Sequence, residues 1–343
     1  MNILYIKLSI LLVAMIQNPA YGVEIKGAGS KISESLIHEW AKVYTTRISK
    51  SVINYKGSNP AEGLKQLINR EVDFCSVDMP LNNAELKKNK LVQFPVVLGG
   101  IAPVVNLPRV GPGQLKLDGK TLGDIFLGKI VRWNAEEIAA LNPSLQLPDE
   151  EIIIIHRISP PGVRTVLGEY LAKSNENWKS QKGSTMAGNW PSSSILVKEP
   201  LENFNMIQKT PFSIGYGPVS VATHTGMAYV KMKNKAGYFV SPNDKSISSA
   251  ALHSTWIENE SFNADLTDQS GTSTWPLSMA SFVLVRKFDN SSDRKKETLK
   301  FFRYSLRFGT LNALQGGYIQ LPHVVKSTIR LSLDNAINKK GKA

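Results

Sequence analysis

The apolar positions of residues 24–78 switch repeatedly between two periods. "EIKGAGS" (24–30) reads as a short strand ending in a glycine-rich turn. "KISESLIHEWAKVYTTR" (31–47) then sets Leu36, Ile37, Trp40, Val43 and Tyr44 at helical spacing, with Ser33 as the expected N-cap. "SVINYKG" (51–57) alternates as a strand does, "PAEGLKQLINRE" (60–71) has the pattern of a helix, and "VDFCSVD" (72–78) returns to a strand. Strand–helix–strand–helix–strand predicts a parallel sheet with right-handed crossovers.

The pattern changes after residue 90. "LVQFPVVLGGIAPVVNLP" (91–108) is a long β-branched run, long enough to pass from one lobe to another. "LDGKTLGDIFLGKIVRW" (117–133), "EEIAALNP" (136–143) and "GVRTVLGEYLAKS" (162–174) predict helices, and "EIIIIHR" (151–157) a buried strand. "SIGYGPVSVAT" (213–223) and "MAYVKM" (227–232) predict further strands. A second β-branched run, "WPLSMASFVLVRK" (275–287), precedes "KETLKFFRYSLRFGTLNALQGG" (296–317), a predicted helix closed by glycines. The expected architecture is α/β: two lobes, each a mixed or parallel sheet flanked by helices, joined by two crossover strands. One lobe takes residues 23–97 and 276–343, the other residues 98–275.

Composition narrows the functional classes. The 343 residues begin with "MNILYIKLSILLVAMIQNPAYGVE", a basic start, an apolar core and a small-residue cleavage site, which predicts a signal peptide over residues 1–22. That run is too short to span a bilayer, and no later stretch is apolar enough, so a soluble exported chain without a membrane span is expected. The one cysteine, Cys75, excludes an internal disulfide and lies far from the lipid-anchor position. The formal charge of +13 suits acidic partners, but the lysines are scattered. Short basic runs occur at Lys87-Lys88-Asn89-Lys90, Arg294-Lys295-Lys296 and Lys339-Lys340. Nucleic acid is not an expected partner of an exported protein. The five histidines have no metal-ligand spacing, and no nucleophile elbow, phosphate loop or zinc motif is present. No metal, cofactor or catalytic residue is expected.

Several strand-to-helix turns suit an anion: Gly27 to Lys31, Gly57 to Pro60, Ser76 to Asp78 and Arg157 to Arg164. Ligands of open α/β sheets bind where strand C-termini meet helix N-termini. "HRISPPGVRT" (156–165) complicates this, because Pro160 and Pro161 have no N–H to donate.

The segments "GAGS", "NYKG", "LKQLINREVDFCSVDMPL", "QFPVVLGG", "VNLP", "LDGKTLGDIFLGKIVRWN", "LNPSLQLP", "WPLSMASFVLV" and "LKFFRYSLRFG" occur in order between about Lys26 and Leu333. They resemble the phosphate-binding protein of the bacterial high-affinity phosphate importer, as a divergent member. The resemblance implies a two-lobed periplasmic binding protein of type II. Such a protein buries phosphate between its lobes and delivers it to an ABC permease with a cytoplasmic ATPase. A monomer in the periplasm is expected.

Carried over by position, the resemblance implies a site only partly preserved. Where the family resembles "GAGATF", this chain has Ser30, Lys31 and Ile32; where the family has a serine ligand, it has Pro60 beside Ser58. Asp78 and Arg157 match the family aspartate and arginine. Ser159 stands for an acidic residue, and Pro161-Gly162-Val163 for Ser-Gly-Thr, with Arg164 following. A glycine-rich turn is replaced around "KEPLENFN" (198–205). Expected contacts are therefore Ser30, Lys31, Ile32, Ser58, Asp78, Arg157, Gly162 and Val163, with Ser159 and Arg164 as further candidates. Four lost hydrogen bonds to an anion, at about 1.5–3 kcal/mol each, would remove on the order of 6 kcal/mol. The alternative is a degraded phosphate site in a sensor or secreted interaction protein, or one for a bulkier anion. A phosphatase is a distant third reading.

Overall fold

A computed structural model describes residues 22–157, 161–198, 200–256, 258, 261–287, 293–309 and 317–338. The expected signal peptide, apart from Gly22, lies outside these residues, as do Ser159, Pro160 and the Lys339-Lys340 run. The strands are β1 (Glu24–Ser30), β2 (Val52–Ser58), β3 (Phe74–Val77), β4 (Leu91–Asn106), β5 (Lys116–Leu117), β6 (Ile153–Arg157), β7 (Ser194–Val197), β8 (Ser213–Pro218), β9 (Ala228–Tyr229), β10 (Lys231–Lys233), β11 (Phe239–Val240) and β12 (Ser278–Arg286). Their order is β2-β1-β3-β12-β4-β8-β6-β7, with β9 also on β4 and a separate small sheet β11-β10-β5.

The parallel pairs β1–β2 and β1–β3 follow from helices α1 (Glu34–Arg47) and α2 (Pro60–Ile68), which carry the chain back between strands. β12 then adds antiparallel to β3, so the first lobe is mixed. The second lobe is mixed for the same reason, with β6 parallel to β7 and β8 while β4 runs against β8.

β4 is the strand both lobes share. It pairs with β12 from Leu91 to Gly100 and with β8 from Ile101 to Asn106. Its inner positions are buried on both faces, which is why apolar residues and glycine fill all of it except Gln93 and Asn106. The second long run behaves differently. β12 begins only at Ser278, and Leu277 touches β4 through its carbonyl, which accepts from the Ile101 N–H at 2.9 Å. Trp275, fully buried, donates its indole N–H to the Ile101 carbonyl at 3.0 Å. Both connections between the lobes thus meet at Ile101.

Some expectations needed correction. "SIGYGPVSVAT" is a strand only to Pro218; Val219–His224 is a short helix, because Pro218 cannot donate to a ladder and Val219 and Ala222 bury on one side. The helix from Gly119 stops at Phe126, where Gly128 takes φ 71° and a left-handed turn ends it before Lys129. Ser33 begins α1 without capping it by its side chain.

Candidate functional site

β1 and β3 lie side by side and end at the same edge, so Ser30 and Asp78 emerge together from neighbouring strands. Gly29 makes this closeness feasible. Its φ is 128°, and a Cβ there would lie 2.1 Å from the Ser76 carbonyl oxygen. A side chain at Gly29 would therefore push the two strand ends apart.

Beneath this edge runs a buried hydroxyl network. The Tyr55 hydroxyl donates to the Ser30 carbonyl at 2.8 Å, and the Ile32 N–H donates to Ser30 Oγ at 3.0 Å. The Ser33 and Ser76 hydroxyls share a hydrogen bond of 2.6 Å, with neither residue exposed. Tyr318 donates to the Ile32 carbonyl and so ties the turn to the C-terminal part of the chain. The first turn is held from several directions and is not free to adapt.

Asp78 is 4% exposed, and its Oδ1 has no hydrogen-bond partner among the described residues. Burial pushes its pKa up to about 6, against a smaller opposing effect from the neighbouring Ser30 hydroxyl. Across from it stands the second lobe. A Cβ on Gly162, in the first turn of the helix Pro161–Ser174, would lie 2.6 Å from the Asp78 Cβ. The lobes are therefore closed on each other here, and glycine is the residue that permits it.

Arg157 ends β6 and leads into that helix. It is 2% exposed, its Nε and Nη2 have no hydrogen-bond partner among the described residues, and no ion pair links it to Asp78. Burial lowers its pKa, yet a guanidinium stays charged. Tyr216 on β8 is fully buried. Burial raises its pKa, while the charges of Arg157 and Arg164 oppose that rise, which places both arginines near it. His156 is no further cation: it stacks on Trp190 at 4.0 Å, and burial pushes its pKa down to about 4.

The other expected contacts are placed less closely around this point. Lys31 is exposed, and the Ile32 N–H is engaged by Ser30. Ser58 is half-buried with its hydroxyl toward the Asn59 carbonyl at 3.4 Å. Asn59 caps α2 by accepting from the Ala61 N–H at 2.9 Å, and Pro60 occupies the first helical position. Pro161 does the same for its helix, where a missing N–H leaves nothing unsatisfied. Val163 is buried in the main core, and Arg164 is half-buried. Ser159 lies outside the described residues. Sequence reasoning had Ser76 only as part of a turn suited to an anion and Ser33 only as an N-cap, and it missed Tyr55 and Tyr216. For Ser76 a signal existed, since residues two apart on a strand share a face and Ser76 precedes Asp78 by two.

This is the architecture of a type II periplasmic binding protein. A family model described as a PBP superfamily domain matches residues 16–306. The chain is 36% identical over 307 residues to a protein named phosphate-binding protein PstS from Haemophilus influenzae, covering 89% of this chain and 91% of that one. It is also 36% identical over 300 residues to the PstS of Xylella fastidiosa strain 9a5c, covering 88% of this chain and 82% of that one. Among solved structures, a high-affinity periplasmic phosphate-binding protein bound with phosphate superposes with a TM-score of 0.65 at 16% identity, covering 94% and 100%. An ABC-type phosphate transport receptor from Vibrio cholerae gives 0.59 at 15% identity, covering 86% and 99%. At such identities the structures support the fold only. The chain belongs to the PBP superfamily and, within it, to the PstS family.

Two outcomes follow from the geometry. Gly162→Ala should hold the lobes apart, weakening anion binding at least tenfold with little change in thermal stability. Small-angle scattering checks this, since the variant should keep a larger radius of gyration when phosphate is added. Asp78→Asn should stabilise the ligand-free protein at pH 7.5 by up to about 3 kcal/mol, because a carboxyl raised from 3.8 to about 6 loses stability as pH climbs through that window. At pH 4 the gain should vanish. Urea unfolding at the two pH values reads the difference.

Proposed function

We propose that the protein is an extracytoplasmic solute-binding protein that closes its lobes over phosphate or a closely related oxyanion. Its lobes are residues 23–97 with 276–343, and residues 98–275. It passes the anion to an ABC permease driven by a cytoplasmic ATPase, and it hydrolyses nothing itself. The observation that carries this reading is a pair of buried charges, Asp78 and Arg157, not bonded to each other, with Asp78 Oδ1 and Arg157 Nε and Nη2 left without partners among the described residues.

The chemistry follows from what each can do. Arg157 offers two N–H donors and a positive charge. Asp78 offers an acceptor at neutral pH, which suits an anion that still carries a proton. Phosphate and arsenate carry that proton; sulfate does not. First-turn N–H groups of the helix Pro161–Ser174, at Gly162 and Val163, add donors. The contact between Gly162 and Asp78 leaves no room there for a substituent, so an inorganic oxyanion is favoured over an ester. The likeness to PstS relatives, including 36% identity to the H. influenzae protein, supports the same ligand, export to the periplasm and the same partner.

The donors are fewer than the family pattern implies. The N–H groups of Ile32 and Ala61 are already taken, and Lys31 is exposed. Isothermal titration should therefore give a phosphate dissociation constant weaker than about 1 μM. Arsenate should bind comparably and sulfate at least tenfold more weakly. Arg157→Ala should lose about a hundredfold or more, since two charged hydrogen bonds are worth about 3–6 kcal/mol. Its melting temperature without ligand should not fall, because the removed donors had no partner. Preference for sulfate, or an arginine variant that binds normally, would defeat the proposal.

A further inference from the structure

Two of the basic runs in the sequence lie about two hundred residues apart and form one surface in the fold. The helix Asn83–Lys88 carries Lys87 and Lys88 in its last turn, and Lys90 follows. The Lys287 N–H, at the end of β12, donates to the Lys90 carbonyl at 2.7 Å. Lys295, in the first turn of the helix Asp293–Phe308, donates its Nζ to the Lys287 carbonyl at 2.9 Å. Arg294 pairs with Asp73 at 2.8 Å, and Arg286 reaches toward the same carboxylate. Eight cationic side chains, at positions 87, 88, 90, 286, 287, 294, 295 and 296, thus gather at this end of the first lobe, with Glu71, Asp73, Glu85 and Asp293 among the carboxylates nearby. Lys87, Lys88, Lys90 and Lys296 are exposed.

This surface is not part of the anion cleft. Asp73 and Asp78 flank β3 at its two ends, and β12 runs against β3 with Val285 opposite Phe74 and Phe282 opposite Val77. The basic surface stands at the Asp73 end and the cleft at the Asp78 end, so the lysines do not serve the bound anion. Six of the eight cations are lysines, which are hydrated point charges on long stems. Lysine suits a diffuse negative surface, whereas recognition of individual phosphates in fixed geometry favours arginine. Val92, 37% exposed, lies among them at the start of β4, beside Leu91, which pairs with Arg286.

We propose that this end of the first lobe docks on an anionic lipid surface, holding the protein at a membrane while the opposite end handles the solute. The attraction is electrostatic and is screened by salt over a Debye length of about 10 Å.

Sedimentation with vesicles of phosphatidylcholine, with and without about one quarter phosphatidylglycerol, tests it at ionic strengths of about 0.05 M and 0.3 M. The chain should sediment with the anionic vesicles at low salt and at least tenfold less at high salt, and should ignore pure phosphatidylcholine. A variant with Lys87→Gln, Lys88→Gln, Lys90→Gln and Lys296→Gln should lose at least tenfold at low salt. It should keep the parent's melting temperature and phosphate titration, which separates this proposal from that of the anion site. No sedimentation at low salt, equal binding to the uncharged vesicles, or a variant that binds like the parent would overturn it. So would lysine-dependent binding to duplex DNA without binding to vesicles.

Discussion

A carboxylate and a guanidinium are buried in this protein without being bonded to each other, and the rest of the molecule is arranged around that condition. Asp78 and Arg157 each have polar atoms without a partner among the described residues. Burying such groups unpaired costs several kcal/mol in effective terms, and bringing them together would recover part of it. They are kept apart because each is fixed by a different lobe. Asp78 is set by the β1–β3 edge and its hydroxyl network, and Arg157 by the end of β6. In the proposed function an anion carrying a proton satisfies both at once, and the tension in the ligand-free protein becomes affinity.

The scaffold makes this arrangement reversible in principle and exact in closure. Among the described strands only β4 runs through both lobes, and the second connection meets it at Ile101, where Leu277 and Trp275 bond to the backbone. Relative movement of the lobes is therefore focused on one short region. At the far side, closure is set by Gly162 against Asp78, where one methyl group would not fit. The hinge joins backbone to the buried Trp275 indole, and the contact joins the Gly162 backbone to the buried Asp78 side chain.

Much of the fold was legible in the chain, because period-2 and period-3.6 patterns answer directly to burial. The strand–helix order of residues 24–78 and the β4 crossing show this well. The misread stretches were those where one residue overrides the pattern. Pro218 ended a strand whose alternation continued into a helix, and Gly128 stopped a helix whose apolar spacing ran on. The site was harder to read. Asp78 and Arg157 were visible through the resemblance. The Ser33–Ser76 pair was not, because two serines forty-three positions apart carry no local signal and meet only when β1 pairs with β3 and the turn after β1 falls beside it. The prolines posed a question the helices answered: Pro60 and Pro161 sit at first helical positions, where no N–H is missed.

The central claim is that one protonated oxyanion bridges the two buried charges. A crystal grown with arsenate and measured for anomalous scattering at the arsenic edge tests it directly. The account predicts one strong arsenic peak between the lobes, with its oxygens about 2.5–2.9 Å from both the Asp78 carboxylate and the Arg157 guanidinium. A closed protein with no peak there, or a peak bound to Lys31 and Arg164 away from Asp78, would contradict it.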